Sequence, residues 1–288
     1  MNIPMLSPTS LEELSSCLTR MTKESKVIAG GTDLVIDLKQ HKILPDLLLN
    51  IIDIPQLKEI TLRDDAVEIG SAATFSELGK NPLIKRFFPA MVLASSKVGS
   101  KQIRNRGTIG GNIIRASAAG DMLPVLLALD ARFSVRNSLG EIRIIPVNEF
   151  VFQKNRLSEN EALIKIILGV PQAGKYNCFV KLGSREAVSI SKLNMCLSAA
   201  FDGKNRMITE SAVTLGSLAP KPIYARRGMK TLDGQILNDS LKADFAEALA
   251  KDVAEAIPTR ASMPYKRRAI QGLAWDLLDI FAGLTKSL

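Results

Sequence analysis

The stretch Val27-Ile28-Ala29-Gly30-Gly31-Thr32-Asp33-Leu34 decides how the first part of the chain folds. An apolar run typical of a short buried strand ends at a double glycine, and helical spacing of apolar residues follows. Glycine has no Cβ, so the backbone can turn sharply there and approach a ligand. Successive N–H groups at such a turn bind anionic oxygen, and the Thr32 hydroxyl and the helix N-terminus add to this. The pattern therefore predicts an ordinary strand-to-helix turn or a phosphate-binding turn.

A second glycine-rich stretch, Gly107-Thr108-Ile109-Gly110-Gly111-Asn112-Ile113, repeats this chemistry. A pyrophosphate needs donors on more than one side, so the pair of stretches favours a dinucleotide site. Neither stretch has the G-x-G-x-x-G or G-x-x-x-x-G-K-[ST] pattern, which disfavours Rossmann-type nicotinamide binding and ATPase activity. The preceding residues are rich in donors. Arg104 and Arg106 could orient the turn or pair with a neighbour, and we expect structural salt bridges.

Two polar residues downstream, Ser117 and Asp121, are further candidates for a ligand site. A carboxylate at Asp121 could accept a hydrogen bond from a ribityl hydroxyl or from the N3–H group of a flavin ring. Alternatively, Asp121 caps the N-terminus of the apolar helix that its position predicts over 122–129. The two roles are compatible.

Composition limits the class of protein. The chain has 288 residues and is 46% hydrophobic, which is typical of a globular protein with sizeable cores. It has no apolar run of about 18 residues, so we expect no membrane span. Residues Met1 to Pro4 do not resemble a secretory signal, so we expect a cytoplasmic location. The net charge is +9 without interleaved aromatics, which favours an acidic protein partner or a pyrophosphate over nucleic acid.

Cysteine and histidine are too few and too scattered for metal or nucleophilic chemistry. Cys17, Cys178 and Cys196 do not form a C-x-x-C pair, so we expect ordinary thiols and no iron–sulfur cluster on this chain. His41 is the only histidine, and its charged neighbours predict a surface position. We therefore predict no catalytic residue and no metal ligand.

The order of sequence patterns predicts two parts of different character. Up to the boundary at Pro171–Gly174, helix and strand patterns alternate, with capping boxes at Ser10 and Thr74. The last third instead predicts an antiparallel sheet and two closing helices. The predicted strands are 179–182, 193–201 and 207–216, and the predicted helices are 240–256 and 264–284.

At this point the residues resemble a known family, the FAD-binding medium subunit of the molybdenum hydroxylases of the xanthine dehydrogenase and carbon monoxide dehydrogenase type. The resemblance covers nearly the whole chain in order. It rests on AGGTDL (Ala29–Leu34), QIRNRGTIGGNI (Gln102–Ile113), DMLPVLLALDA (Asp121–Ala131), PVNEF (Pro146–Phe150), KLGSREAVSIS (Lys181–Ser191) and SMPYKRRA (Ser262–Ala269).

This resemblance implies an α+β fold with three parts. Two α/β subdomains, about 1–55 and 56–174, would form an FAD-binding domain of the molybdopterin dehydrogenase (PCMH-like) type. A C-terminal α+β domain with an antiparallel sheet and helices would cover 175–288. The positions that match the family's FAD site are Ala29, Gly30, Gly31, Thr32, Asp33, Leu34, Thr108, Ile109, Gly110, Gly111, Asn112, Ser117, Asp121, Leu163 and Lys181.

The resemblance also implies cofactors and partners. FAD would be bound noncovalently here, while a large molybdopterin-binding subunit and a small [2Fe–2S] subunit would carry the other cofactors. The flavin would relay electrons from the clusters to NAD⁺ or another acceptor. The motifs resemble xanthine dehydrogenase-like and nicotinate dehydrogenase-like members more than the carbon monoxide enzymes. We expect a xanthine dehydrogenase-like enzyme, with a carbon monoxide, nicotinate or aldehyde dehydrogenase as the alternative. A self-contained flavin oxidase and a scaffold without cofactor are the remaining alternatives.

Two departures from the family pattern concern the flavin's surroundings. Ala118 stands where the family often has a proline, and Ser189 or a neighbour stands where some members place a tyrosine over the flavin. The electron acceptor is therefore open. No cysteine-rich insertion is present, so we expect no additional [4Fe–4S] cluster.

Overall fold

The computed structural model describes residues 3–153, 157–186 and 188–286. The chain forms two compact units, each built from separate stretches of sequence. Unit 1 comprises Met1–Leu83, Ser100–Arg115 and Asp130–Gly169, and unit 2 comprises Ile84–Gly99, Ala116–Leu129 and Val170–Leu288.

Unit 1 contains two sheets in its described residues. Its helices and strands are β1 (Met5–Leu6), α1 (Leu11–Leu18), β2 (Lys26–Ile28), α2 (Leu34–Lys39), β3 (Leu48–Asn50), β4 (Ile60–Arg63), β5 (Ala66–Gly70), α3 (Phe75–Lys80), α6 (Lys101–Arg104), α7 (Ile109–Arg115), β6 (Arg132–Asn137), β7 (Ile142–Pro146), α9 (Val147–Phe152) and β8 (Glu161–Gly169), with a short 3₁₀ turn at Pro55–Leu57.

The first sheet is parallel and small. Its order is β1-β3-β2, with Val27 of β2 opposite Leu49 of β3. The second sheet is antiparallel, in the order β4-β5-β8-β6-β7. Leu14 and Leu18 of α1 pack in one apolar cluster with Leu49 of β3 and Ile164 of β8. This shared core joins the two sheets of unit 1.

Unit 2 is a third sheet covered by helices. Its elements are α4 (Pro82–Phe87, from Ile84 onward), α5 (Pro89–Ser96), α8 (Met122–Ala128), β9 (Lys175–Leu182), β10 (Leu193–Asp202), β11 (Met207–Gly216), β12 (Ile223–Tyr224), α10 (Arg226–Leu232), β13 (Gln235–Ile236), α11 (Asp239–Ala256) and α12 (Met263–Thr285). The strand order is β12-β11-β10-β9, and β13 also pairs with β11.

Helices lie on both faces of this third sheet. Alternate residues of β9 divide between them, because successive side chains of a strand point to opposite faces. Cys178 and Val180 belong to the core that contains α11 and α12. On the other face, the Asn177 side chain binds the α5 segment through the Ala90 N–H group and the Phe87 carbonyl, at 3.0 and 2.9 Å.

The two compact units do not follow the predicted division at residue 174. α5 packs against β9, and α8 packs against β10 and β11, so these two helices group with the last third of the chain. Burial explains this grouping, because every residue of α8 is buried and needs a second surface to cover it. The division into 1–174 and 175–288 stays a prediction about sequence domains.

Most predicted elements are present. The three long strands of unit 2 and the two closing helices lie within a few residues of their predicted positions. Thr74 forms a complete capping box with Glu77. At Ser10 the hydroxyl caps Glu13, but the Glu13 carboxylate binds Thr9 instead. No helix in the described part of the chain is both long and apolar enough to cross a membrane.

Candidate functional site

The first glycine turn has a geometry that only glycine allows. β2 ends at Ile28 and α2 begins at Leu34, so the turn lies between them. A Cβ atom on Gly30 would overlap the backbone carbonyl of Arg106. Gly31 has a φ of 71°, which other residues rarely adopt. The two glycines therefore allow a close backbone approach and a reversal of direction.

This turn leaves a row of backbone donors free. Among the described residues, none accepts a hydrogen bond from the N–H groups of residues 30–34. The carbonyls of the turn are used, because Gly31 accepts from Val35 and Asp33 accepts from Ile36. Residues 30–34 are partly or fully exposed, so a ligand can reach them. Free N–H groups at the beginning of a helix are the groups that bind anions in other proteins.

The second glycine stretch has a different construction. α7 begins at Ile109, so both glycines lie inside a helix. Gly110 donates to the Ser71 carbonyl at 2.8 Å, and Gly111 donates to the Thr108 hydroxyl at 3.1 Å. Asn112 donates to the Thr108 carbonyl at 3.1 Å. The expectation of a second row of free amides is therefore wrong, because the helix and the neighbouring Ser71 use them.

Gly110 is instead required for close packing. A Cβ atom there would lie 2.5 Å from the Ser71 carbonyl oxygen and 2.7 Å from the Ser71 Cβ atom. Thr108 pairs with Thr74 as an isolated bridge, and Ile109 donates to the Ala73 carbonyl at 2.9 Å. The stretch is thereby fixed against the segment that follows β5.

Two buried polar atoms beside this stretch have no partner. They are the Ser71 hydroxyl and the Asn112 Oδ1 atom. Buried polar groups are almost always hydrogen-bonded, so such atoms call for a polar ligand or water. The free amides of the first turn fit the pyrophosphate of FAD. The unsatisfied Ser71 and Asn112 atoms at the second stretch fit its sugar hydroxyls.

The arginines near these turns divide into different roles. Arg115, at the end of α7, forms an ion pair with Asp37 of α2 at 3.0 Å. Arg106 is exposed and has no ion pair with any described acidic residue, so the salt bridge predicted for it is wrong. Its backbone carbonyl lies directly against Gly30 and leaves no room for a side chain there. The salt bridge expected for Arg104 stays a prediction.

In unit 2, Asp121 is the centre of a buried polar network. Its Oδ2 atom accepts from Lys181 Nζ at 2.6 Å, and both side chains are less than a tenth exposed. Its Oδ1 atom accepts from Ser191 at 2.5 Å and from Asn194 at 2.9 Å. Lys181 also donates to the Lys97 carbonyl at 2.9 Å. Asp121 occupies the N-cap position of α8 as predicted, but its side chain makes no capping hydrogen bond.

The loop before Asp121 is held by several hydrogen bonds. Ser117 is exposed, and its hydroxyl and carbonyl accept from Ala119 and Gly120. Asn194 donates to the Gly120 carbonyl at 3.3 Å. The loop therefore presents Ser117 to solvent on a fixed backbone.

In the described part of the chain, the remaining predicted positions form no side-chain hydrogen bond with these clusters, although the carbonyl of Ile164, next to Leu163, accepts from the Ser71 N–H group. Leu163 is 4% exposed and lies in β8, on the opposite face from Ala162 and Ile164. The Ser189 hydroxyl accepts from the Ser184 N–H group at 2.8 Å within its own loop. Ala187 of the KLGSREAVSIS stretch lies outside the described residues.

Other side chains give no sign of metal or thiol chemistry. No group of three or more potential ligands among the described residues could hold a metal ion. Burial raises the pKa of the Cys178 and Cys196 thiols, which makes them poor nucleophiles. His41 is exposed at the end of α2, as its neighbours predicted.

Comparison with known protein families identifies the class. Residues 1–172 match the family described as the FAD binding domain in molybdopterin dehydrogenase, and residues 179–279 match the CO dehydrogenase flavoprotein C-terminal domain. The chain therefore belongs to the family of FAD-binding medium subunits of the molybdenum hydroxylases. The predicted family, the fold and FAD as the cofactor of this chain are confirmed.

Several relatives match over nearly their whole length. The nicotinate dehydrogenase FAD-subunit of Eubacterium barkeri is 29% identical, with 96% of each chain covered. A putative xanthine dehydrogenase FAD-binding subunit of Escherichia coli is 29% identical, with 89% of this chain and 88% of the relative covered. The glyceraldehyde dehydrogenase medium chain of Sulfolobus acidocaldarius is 27% identical, with 94% and 96% covered.

Solved structures share the fold. A chain of carbon monoxide dehydrogenase from Hydrogenophaga pseudoflava superposes with a TM-score of 0.85 at 24% identity, covering 97% of this chain and 96% of that chain. A chain of quinoline 2-oxidoreductase from Pseudomonas putida gives 0.82 at 19% identity, covering 97% and 98%. At this level of identity the likeness establishes the fold alone.

Sequence reasoning did not single out three of the polar residues in these clusters. Ser71 directly follows Gly70 at the end of β5, and no recognised motif includes it. Ser191 closes a quoted motif, and Asn194 lies within a predicted strand, where a buried amide is unusual. That position was the one signal available for Asn194.

Proposed function

We propose that this chain is the FAD-carrying relay of a molybdenum-containing dehydrogenase, passing electrons from [2Fe–2S] clusters to NAD⁺. The observation that carries the proposal is the row of free N–H groups at residues 30–34. Only glycine fits at the start of this row, because a Cβ atom on Gly30 would overlap the Arg106 carbonyl. Free amides at a helix N-terminus bind a pyrophosphate without any charged side chain.

Specific residues of this chain would hold the cofactor. The amides of residues 30–34 would bind the pyrophosphate, and Ser71 and Asn112 would gain partners from the ligand's hydroxyls. In unit 2, Lys181 neutralises Asp121, so the predicted ring contacts would come from a neutral pair rather than a lone charge. FAD itself supplies the redox chemistry, because a flavin accepts and releases electrons and hydride.

The relatives support the partners and the enzyme type. Their names include a FAD-subunit, a FAD-binding subunit and a medium chain, which fits a complex with a large molybdopterin-binding subunit and a small [2Fe–2S] subunit. A xanthine dehydrogenase-like enzyme remains our preferred type, with nicotinate, carbon monoxide and aldehyde dehydrogenases as alternatives. A cytoplasmic location belongs to the same proposal.

The binding step is tested by titrating the purified apo-chain with FAD and following flavin fluorescence. We expect binding at micromolar FAD that is about 100-fold weaker in Gly30→Ala. Binding should be unchanged in Gly79→Ala, where an added Cβ meets no atom within 4 Å. Acid treatment should release the flavin unchanged. A wild-type chain that stays without flavin would contradict the proposal.

Tests of the electron acceptor and of the substrate require the native complex. Reduced complex should form NADH from NAD⁺ at the rate at which its flavin reoxidises. Equal reoxidation by oxygen or a quinone with no NADH would contradict the proposed acceptor. Turnover of xanthine, nicotinate, carbon monoxide and aldehydes by the same preparation distinguishes the enzyme types.

A further inference from the structure

The segment Ser262–Ala269 carries a lysine that the FAD-binding turns do not use. Lys266 lies near the beginning of α12, and its ammonium group donates to the carbonyl of Ser217, directly after β11. No described acidic side chain forms an ion pair with Lys266. Burial and the nearby charge of Arg260 lower the pKa of Lys266. The Lys266 ammonium group is therefore a partly buried cation whose partner is a backbone carbonyl instead of an acidic side chain.

Ser217 has a backbone conformation that needs such support. Its φ is 61°, in the left-handed region that residues with a Cβ rarely adopt. It is 9% exposed, and its hydroxyl has no partner. Arg260 Nη1 donates to the next carbonyl, that of Leu218, at 2.8 Å. Two cations thus bind consecutive carbonyls at the end of β11.

Ser217 in turn binds the loop that precedes α8. Its N–H group donates to the Ala118 carbonyl at 3.1 Å. Ala118 lies between Ser117 and Asp121, the two predicted FAD-site residues of unit 2. If Ser217 left the left-handed region, its N–H group would turn away from Ala118 and the loop would lose this bond.

We propose that Lys266 is a positioning residue for FAD, because it holds Ser217 in the left-handed conformation and Ser217 holds the Ser117–Asp121 loop. The proposal rests on the proposed function, since it takes Ser117 and Asp121 as part of the FAD site. Lys266 acts through the backbone of Ser217 and need not touch the cofactor.

The test compares FAD affinity and the visible circular dichroism of bound flavin among variants that fold. Lys266→Met should weaken FAD binding about tenfold, the value of one charge-assisted hydrogen bond. It should also alter the dichroism of the flavin. Lys266→Arg, which keeps a cation, should recover most of the affinity. Arg268→Met is the matched control, because Arg268 is exposed on the same helix and should bind FAD like the wild type.

A double variant separates positioning from general stability. Glycine adopts the Ser217 conformation without strain and keeps its N–H group. Lys266→Met with Ser217→Gly should therefore bind FAD within about threefold of the wild type and restore the flavin dichroism. This double variant decides the matter even if Lys266→Met alone does not fold.

Two results would overturn the inference alone: normal FAD binding by Lys266→Met, or a double variant as weak as Lys266→Met. A wild-type chain that binds no FAD would overturn the proposed function and this inference with it. The two failures are thereby distinguishable.

Discussion

The first glycine turn, residues 30–34, and the second stretch with its following loop, residues 108–121, have similar sequences but use their polar groups differently. The first leaves its backbone donors free. In the second, Gly110 and Gly111 donate within unit 1, and in unit 2 Asp121 accepts from three side chains. Two glycine motifs in one chain can therefore serve two purposes: one binds by its amides, and the other permits close packing.

The comparison predicts that the largest loss of stability comes from substitutions at Asp121 and its partners, where the side chains are hydrogen-bonded. Removing one member of a buried ion pair leaves the other charge without compensation, at about 3–5 kcal/mol. Lys181→Met and Asp121→Asn should each lower the free energy of unfolding by about that amount. The double variant should be less destabilised than the sum of the two, as measured by urea denaturation.

The exposed ion pair Lys251–Glu247 provides the control for this double-mutant cycle. Lys251→Met should change the free energy of unfolding by less than about 1 kcal/mol, because surface pairs are screened by water. Strictly additive effects of Lys181→Met and Asp121→Asn would contradict a direct pair.

Substitutions in the first glycine turn should have their largest effect on FAD affinity. In Gly30→Ala, the added Cβ overlaps the Arg106 carbonyl, so the turn must shift and its amides lose their arrangement. We expect a loss of FAD affinity of about 100-fold, equivalent to about 2.8 kcal/mol. Fluorescence titration measures it.

Gly79→Ala in α3 is the matched control, because its Cβ meets open space and alanine favours a helix. It should bind FAD like the wild type. Equal affinities of Gly30→Ala and the wild type would show that the first turn does not hold the cofactor.

Gly110→Ala should separate packing from binding in the second stretch. The added Cβ would lie 2.5 Å from the Ser71 carbonyl, and overpacking of this kind costs about 1–3 kcal/mol. We expect a lower free energy of unfolding, with FAD affinity of the folded protein reduced less than in Gly30→Ala. A larger loss of affinity than in Gly30→Ala would reverse the roles of the two stretches.

The sequence predicted the first turn and not the second for a physical reason. At residues 27–38, local patterns are sufficient, because the strand, the glycines and the helix spacing all agree. At Gly110 the decisive contact is Ser71, which is 39 positions earlier in the chain, and nothing local indicates it. A glycine pair inside a helix is therefore mistaken for a turn when only the sequence is considered.

The same limit applied to Asp121. A sequence pattern made Asp121 a candidate site residue. Its partners are Lys181 from β9, Ser191 from the loop after β9, and Asn194 from β10. Antiparallel pairing of β9 and β10 sets that proximity. Pattern and propensity predicted the strands and the two closing helices, but α5 and α8, which pack on these strands, come from earlier parts of the chain.

The smallest expected effect, that of Gly111→Ala, is also the sharpest test of the comparison. Gly111 is exposed in α7, has no positive φ, and its added Cβ would meet only the Thr108 hydroxyl at 3.0 Å. Alanine should gain up to about 1 kcal/mol in helix propensity, partly offset by that contact. If the second stretch acts by packing, FAD affinity should stay within about twofold of the wild type while the melting temperature stays equal or rises. If the backbone at Gly111 instead touches the pyrophosphate, the methyl group would displace it, and affinity would fall without any loss of stability.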